Sequence, residues 1–152
     1  MDELITELSN LLKKGTRCIA GSKEEDLKYK SSVNSWSRIE ILGHLIDSGI
    51  YNLQRFSEVQ FEDRPYKIRK YNQNELVKTN DYQNADPLEL LSFWLSVNER
   101  IIQLLKSQNE ITLRYVIELH TGELSDLKFL IQEYIKHLDS HLEKIIHPEE
   151  AL

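Results

Sequence analysis

The chain has 152 residues, a mass of 17.9 kDa and a formal net charge of −6. An acidic surface repels phosphate backbones and anionic lipids, so we expect neither nucleic acid nor a membrane as partner. The single cysteine, Cys18, cannot form an internal disulfide, and the first residues lack the basic start and apolar stretch of a signal peptide. We therefore expect one domain over residues 1–152, located in the reducing cytoplasm.

The first half of the chain contains two amphipathic segments. In residues 2–14 leucine and isoleucine recur at the spacing of one helical face, and Gly15 is predicted to end that helix. Residues 15–34 are polar and predict a connector with room for one helical turn. The second segment, residues 37–59, is predicted to begin with a capping box formed by Ser37 and Glu40.

Two glycines lie inside the second segment. Gly43 and Gly49 each cost on the order of 1 kcal/mol in a helix compared with alanine. We therefore expect another feature to offset this loss of helix stability, either close packing at the glycines or access to a site.

The middle of the chain is harder to interpret. Residues 61–86 contain Pro65 and several tyrosines, and a structureless loop of this length would be unusual in a compact domain. We expect either a short helix near residues 74–79 or a functional loop that covers another part of the molecule.

The second half of the chain predicts two more helices. The third segment, residues 87–107, follows an Asp86-Pro87 start signal, and the fourth spans residues 124–146. Residues 109–120 have a β-like composition, but a single short strand has no obvious partner, so we expect an extended link. The pattern as a whole predicts an all-α four-helix bundle with a long connection between helices two and three.

Two histidines on the fourth segment are the strongest local motif. His137 and His141 are four residues apart, so they lie one helical turn apart on a face that also carries Leu138 and Ile145. Two imidazoles in this arrangement can bind one metal ion at about 2.0–2.1 Å each. The pattern alone is also compatible with solvent-exposed or hydrogen-bonded histidines, and it favours them over metal ligands.

A third candidate ligand lies on the second segment. His44 is flanked by Leu42 and Leu45, which is compatible with either a hydrogen-bonded core histidine or a metal ligand. His120 and His147 are predicted to be exposed. Three histidines would leave at least one coordination position open, which is typical of catalytic rather than structural sites.

Other side chains on the second segment share the face of His44. Asp47, Tyr51 and Arg55 follow it at helical steps and are the candidate catalytic residues, with Asp47 able to orient an imidazole. The alternative is that Asp47 and Arg55 are surface charges and Tyr51 is a packing residue. Trp36 is predicted to be a hydrophobic staple, and Cys18 a small buried residue.

Two stretches resemble the DinB/YfiT-like superfamily. Residues 36–48 (WSRIEILGHLIDS) are similar to that family's second-helix signature, and residues 133–142 (EYIKHLDSHL) to its terminal HxxxH helix. The resemblance covers roughly residues 30–146. It implies a four-helix bundle in which His44, His137 and His141 bind a divalent metal ion, zinc or nickel in type. It also implies a possible homodimer.

The resemblance implies more than one activity. Some members transfer a low-molecular-weight thiol, and others have been called metal-dependent hydrolases. Gly43 stands where some hydrolase-like members have a second histidine, which weakens the transfer of a specific hydrolase activity. We expect a thiol S-transferase with a small-molecule thiol and an electrophile as substrates. The alternatives are a metal-dependent hydrolase and a non-enzymatic, stress-associated metal-binding bundle.

Overall fold

The computed structural model describes residues 1–148, and four long helices form its framework. The elements in chain order are α1 (Asp2–Gly21), α2 (Glu24–Lys28), α3 (Arg38–Glu58), β1 (Tyr66–Lys67), α4 (Gln73–Thr79), α5 (Pro87–Lys106), β2 (Val116–Glu118), β3 (Leu124–Asp126) and α6 (Leu127–Ile146). Helices α1 and α3 each pack against both α5 and α6. The predicted four-helix bundle is confirmed.

Local sequence signals set where the long helices begin. Ser37 Oγ accepts from the Glu40 amide at 3.3 Å and the Glu40 carboxylate accepts from the Ser37 amide at 2.8 Å, which confirms the capping box at the start of α3. Asp86 caps α5 by accepting from the amides of Leu88 and Glu89. These caps satisfy amide donors that a helix cannot pair internally.

The first helix is longer than the sequence pattern predicts. Gly15 does not end α1, which continues to Gly21. A Cβ atom at Gly15 would lie 2.7 Å from a ring carbon of Trp94, a fully buried residue of α5. Gly15 is therefore a point of close helix contact rather than a stop.

A small mixed sheet connects the two halves of the chain, and the prediction of an unpaired link over residues 109–120 is wrong. Strand β2 pairs in parallel with β1, with Ile117 opposite Tyr66, and antiparallel with β3, with Ile117 opposite Ser125. The side chain of Ile117 is fully buried. Because β3 takes the first residues of the predicted fourth segment, α6 begins at Leu127.

The connection between α3 and α5 is structured along much of its length. It contains β1, helix α4 and a 3₁₀ turn at Tyr82–Asn84. The predicted short helix near residues 74–79 is confirmed, since α4 begins after Asn72, whose side chain accepts from the Glu75 amide at 3.2 Å. Val77 and Tyr82 bury their side chains against the bundle.

Close packing accounts for the two glycines of α3. A Cβ atom at Gly43 would lie 2.1 Å from the Tyr82 ring, and one at Gly49 would lie 2.9 Å from Val97. Any side chain at Gly43 would therefore displace Tyr82. Within residues 1–148, no helix combines the length and apolar character that crossing a bilayer requires.

Candidate metal centre

Helices α3 and α6 bring three distant histidines together. His44 lies in the part of α3 that is buried without interruption from Ile39 to Gly49, and His137 and His141 lie one turn apart on α6. One ring nitrogen from each of the three lies within 4.8 Å of the others. His44 is completely buried, and the other two are half-buried.

The separations within this cluster suit a shared ion. His44 Nε2 and His137 Nε2 are 3.1 Å apart. Two nitrogens bound to one zinc ion at about 2.0–2.1 Å are roughly 3–3.4 Å apart. The ring centroids of the three pairs are 4.2 to 5.0 Å apart, so the imidazoles converge without stacking face to face.

Hydrogen bonds indicate which nitrogens are available as ligands. His141 Nδ1 is 3.1 Å from the backbone carbonyl of His137, which can only accept. His141 therefore carries its proton on Nδ1 and presents the lone pair of Nε2. His137 Nδ1 is 3.5 Å from Ser48 Oγ, and His44 Nδ1 is buried with no hydrogen-bond partner among residues 1–148.

The surroundings keep all three imidazoles neutral. Burial, followed by the charges of His137, His141 and Lys144, lowers the pKa of His44 to about 3. Burial, His141 and Lys144 lower the pKa of His137 to about 4, and burial also lowers the pKa of His141. Metal binding requires neutral imidazole, so at neutral pH these side chains need lose no proton to bind an ion.

The donor set fits a divalent metal ion. Imidazole nitrogen suits zinc and nickel, and three imidazoles leave at least one coordination position open on a four-coordinate ion. No carboxylate or thiol from the described part of the chain joins the cluster. The geometry therefore resembles a catalytic site more than a closed structural one.

A cleft of about 810 Å³ lies beside His141. The connector between α2 and α3 forms one wall, including Trp36, whose ring centroid is 5.0 Å from that of His44. The remaining walls come from α2, from the first residues of α3 and α4, and from the last two turns of α6. The predicted staple residue Trp36 therefore also contributes to the site.

Asp47 is buried one turn beyond His44 but has a different partner from the one predicted. Its Oδ1 accepts a 2.6 Å hydrogen bond from the Tyr82 hydroxyl, while Oδ2 has no partner among residues 1–148. Burial raises the pKa of Asp47, and the Tyr82 hydrogen bond partly offsets this. The structure shows Asp47 bonded to Tyr82 and gives it no hydrogen bond to an imidazole.

Tyr51 and Arg55 form a separate cluster further along α3. The Tyr51 ring stacks on Tyr71 with centroids 4.3 Å apart, and the Arg55 guanidinium lies 5.6 Å from the Tyr71 ring centre. Arg55 also donates a 2.6 Å hydrogen bond to the Arg69 carbonyl. Neither Tyr51 nor Arg55 lines the cleft beside His141, so their catalytic role stays a prediction.

Some cleft residues were not anticipated from the sequence. Arg38 and Lys144 line the cleft, and neither was among the candidate site residues. Lys144 could have been found, because it lies three residues after His141 on α6. The two other histidines, His120 and His147, are exposed as predicted.

Solved structures with the same fold include two kinds of protein. YfiT from Bacillus subtilis, described as a probable metal-dependent hydrolase with an unusual four-helix bundle topology, matches with a TM-score of 0.84 and 22% identity, over 95% of this chain and 82% of that one. The mycothiol-dependent maleylpyruvate isomerase matches with a TM-score of 0.75 and 12% identity, over 95% of this chain and 60% of that one. At these identities the likeness establishes the fold alone.

The family follows from the sequence itself. No curated protein matches this sequence. The sequence profile of the DinB superfamily matches residues 8–145, a range that contains all three clustered histidines. Because that match spans most of the chain, the protein belongs to the DinB superfamily.

Proposed function

We propose that this protein is a metal-dependent thiol S-transferase. One observation carries the proposal: three neutral imidazoles converge beside an open cleft, and no fourth ligand from residues 1–148 completes the set. A divalent ion held there, zinc or nickel in type, would act as a Lewis acid that lowers the pKa of a substrate thiol.

The reaction needs no nucleophile from the protein. The sulfur of the thiol forms a new bond to the electrophile, whose leaving group departs with its electron pair, and the thiol proton passes to solvent. The chain has to hold the thiol and orient the electrophile. This requirement agrees with Cys18, which is half-buried rather than buried, does not line the cleft and accepts a 3.3 Å hydrogen bond from Arg38.

The predicted catalytic residues have different proposed roles. Asp47 holds Tyr82, which packs on Gly43 beside His44, so we assign Asp47 a positioning role. Tyr51 and Arg55 lie along α3 beyond His44 and Ser48, and they would contact a distant part of an extended substrate. Mutation of Arg55 should then raise KM more than it lowers kcat.

The relatives support two reaction classes. The isomerase depends on a low-molecular-weight thiol by its name, and this chain spans only 60% of that protein's length. YfiT is described as a hydrolase. These names supply candidates for substrates and no residue roles.

The hydrolase is the second candidate, and the geometry favours it less. Hydrolysis would require a general base close to the attacking water. Asp47 already accepts from Tyr82, and Glu40 is engaged by the capping box and by Lys30 at 2.9 Å. A non-enzymatic metal-binding bundle is the third candidate, and it predicts metal binding without turnover.

The test is a thiol screen with the electrophile monochlorobimane on zinc-loaded and nickel-loaded protein. We expect conjugation of at least one small thiol, and we expect a chelator or His137→Ala to abolish it. A parallel assay with p-nitrophenyl acetate and no thiol tests the hydrolase. Metal binding with neither activity would favour the non-enzymatic bundle. The predicted homodimer stays a prediction, which light scattering can check.

A further inference from the structure

We propose that the cleft beside His141 binds the carboxylate groups of an acidic thiol through Lys144 and Arg38. The thiol part of this inference rests on the proposed function. The carboxylate part rests on the residues of the cleft alone. It specifies the substrate class as a thiol with at least one carboxylate a few bonds from its sulfur.

Lys144 places a positive charge at the edge of the metal centre. It lies three residues after His141 on α6, is exposed, and lines the cleft. In the described range of residues 1–148, no carboxylate lies within 4.0 Å of its nitrogen.

Arg38 supplies a second cation whose position is fixed. Its Nε donates to the Ile145 carbonyl at 2.6 Å, and Nη2 contacts Cys18 Sγ at 3.3 Å and Ser22 Oγ at 3.4 Å. Nη1 has no hydrogen-bond partner among residues 1–148, so its two N–H groups remain for a ligand. A guanidinium held in this way loses little entropy when it binds an anion.

The charge of the cleft is opposite to that of the whole chain. Lys144 and Arg38 line it, and Asp26 is the one acidic residue among the lining residues from the described part of the chain. The chain as a whole carries a formal charge of −6. A locally positive cleft on an acidic protein favours anionic ligands at this position and repels them elsewhere.

The remaining walls suit a small polar molecule. The Trp36 ring can cover an apolar part of the ligand, and the side-chain amides of Asn34, Gln73 and Asn74 can donate to carboxylate or hydroxyl oxygens. A volume of about 810 Å³ accommodates a molecule much larger than a single amino acid. His141 lines the same cleft, so a ligand whose carboxylates contact Lys144 can reach the metal centre with its sulfur.

The experiment compares three small probes with matched chemistry. Mercaptosuccinate carries a thiol and two carboxylates, thioglycerol carries a thiol without carboxylates, and succinate carries the carboxylates without a thiol. Binding is measured by tryptophan fluorescence, because Trp36 lines the cleft whereas Trp94 is fully buried. On nickel-loaded protein, the thiolate-to-metal absorption band reports sulfur binding separately.

Variants identify the residues responsible. Lys144→Gln removes the charge of an exposed residue and should preserve the fold, and Lys136→Gln on the same helix is the control because Lys136 is 80% exposed and lies outside the cleft. We expect Lys144→Gln to weaken mercaptosuccinate binding about tenfold and to leave thioglycerol binding unchanged. Arg38→Lys, which keeps the charge but not the planar fork, should weaken mercaptosuccinate binding less.

The outcomes separate this inference from the proposed function. Equal affinity for mercaptosuccinate in wild type, Lys144→Gln and Lys136→Gln would overturn the assignment, as would equal binding of mercaptosuccinate and thioglycerol. If succinate binds to metal-free protein in a Lys144-dependent way but no thiol gives a metal absorption band, the carboxylate site stands and the transferase fails. If thioglycerol gives the band and succinate does not bind, the transferase stands and the carboxylate site fails.

Discussion

Among the buried polar residues of helix α3, His44 and Asp47 are three residues apart, and their surroundings differ in kind. Asp47 has a partner from within the chain, since the Tyr82 hydroxyl donates to its Oδ1 at 2.6 Å. His44 faces His137 and His141, two further imidazoles that are also neutral, and its Nδ1 has no partner among residues 1–148. Asp47 is bonded within the chain at Oδ1 and leaves Oδ2 without a partner among residues 1–148, whereas His44 belongs to three imidazoles that converge on a common point.

This difference separates a structural polar cluster from a ligand site. A buried polar group without a partner costs about 1–3 kcal/mol, so chains normally supply one. Asp47 follows that rule at Oδ1 but not at Oδ2, and its hydrogen bond with Tyr82 stabilises the contact between α3 and the 3₁₀ turn. In the histidine cluster, an external ion at the common point would accept the lone pairs of the converging nitrogens, while His44 Nδ1 on the other side of its ring has no partner among residues 1–148. If the two clusters are independent, a change in one should leave the other intact.

The largest effect should come from His137→Ala. Removing one of three ligands should lower the affinity for zinc or nickel more than about 100-fold, because even a hydrogen-bond partner of a ligand is worth 10- to 100-fold. Metal content after gel filtration measures this. His120→Ala, which removes an exposed histidine, is the control. A stoichiometric amount of metal in His137→Ala would show that the cluster is not the binding site.

Gly43→Ala should disrupt the packing of Tyr82, the partner of Asp47, against α3. The added Cβ would lie 2.1 Å from the Tyr82 ring, so the ring must move and the variant should lose about 1–3 kcal/mol in the free energy of unfolding. Urea denaturation measures the loss. Gly21→Ala is the matched control, because nothing lies within 4 Å of a Cβ at that position. Equal stability in both variants would mean that Tyr82 does not pack on α3 as described.

Acid should destabilise the metal-free protein, because His44 and His137 stay neutral in the folded chain at a pH at which they are protonated in the unfolded chain. The pKa of His44 is about 3 and that of His137 about 4 in the folded chain, both below the ordinary value of 6.5. Below pH 6.5 the unfolded chain therefore binds protons that the folded chain does not, and stability falls as the pH falls toward about 4. The slope is at most about 1.4 kcal/mol per pH unit for each histidine.

Urea titrations of chelator-treated protein between pH 7 and 4.5 measure this slope. His137→Gln should have a shallower dependence on pH than wild type, and His120→Gln should match wild type. A parallel dependence for wild type and His137→Gln would show that His137 is not held neutral by burial.

The smallest effect should come from Tyr82→Phe. It removes one hydrogen bond to the buried Asp47 and should cost about 1 kcal/mol in the free energy of unfolding near neutral pH. The metal content should not change, because the three histidines keep their positions. A loss of metal comparable with that of His137→Ala would show that the two clusters act as one unit.

The parts of the fold that could be predicted depend on local signals. The start of α3 follows from Ser37 and Glu40, and that of α5 from Asp86 and Pro87, because a cap acts within three residues of chain. The amphipathic stripes give the extent of α3 and α5 to within one residue, but not the end of α1 or the start of α6. The pairing of His137 with His141 also follows from helical spacing alone.

The parts that could not be predicted depend on distant contacts. In the sequence Gly15 is typical of a helix end, whereas in the structure its small size allows Trp94 to pack closely against the helix. The strands have two or three residues each, too few for an alternating pattern, and Tyr66 pairs with Ile117, which lies 51 residues (117 − 66) further along the chain. Arg38 carries no local signal of a binding role, because its neighbours in the cleft come from other elements.

The small sheet has a consequence for the geometry of the histidine cluster. Strand β1 follows α3 in the chain and β3 leads directly into α6, and β2 holds both strands. Backbone hydrogen bonds of the sheet thus link the segment that follows α3 to the start of α6. Residues 44 and 58 are about 21 Å apart along a helix, so we expect the sheet to restrain the relative position of the two histidine-bearing helices from a point remote from the imidazoles.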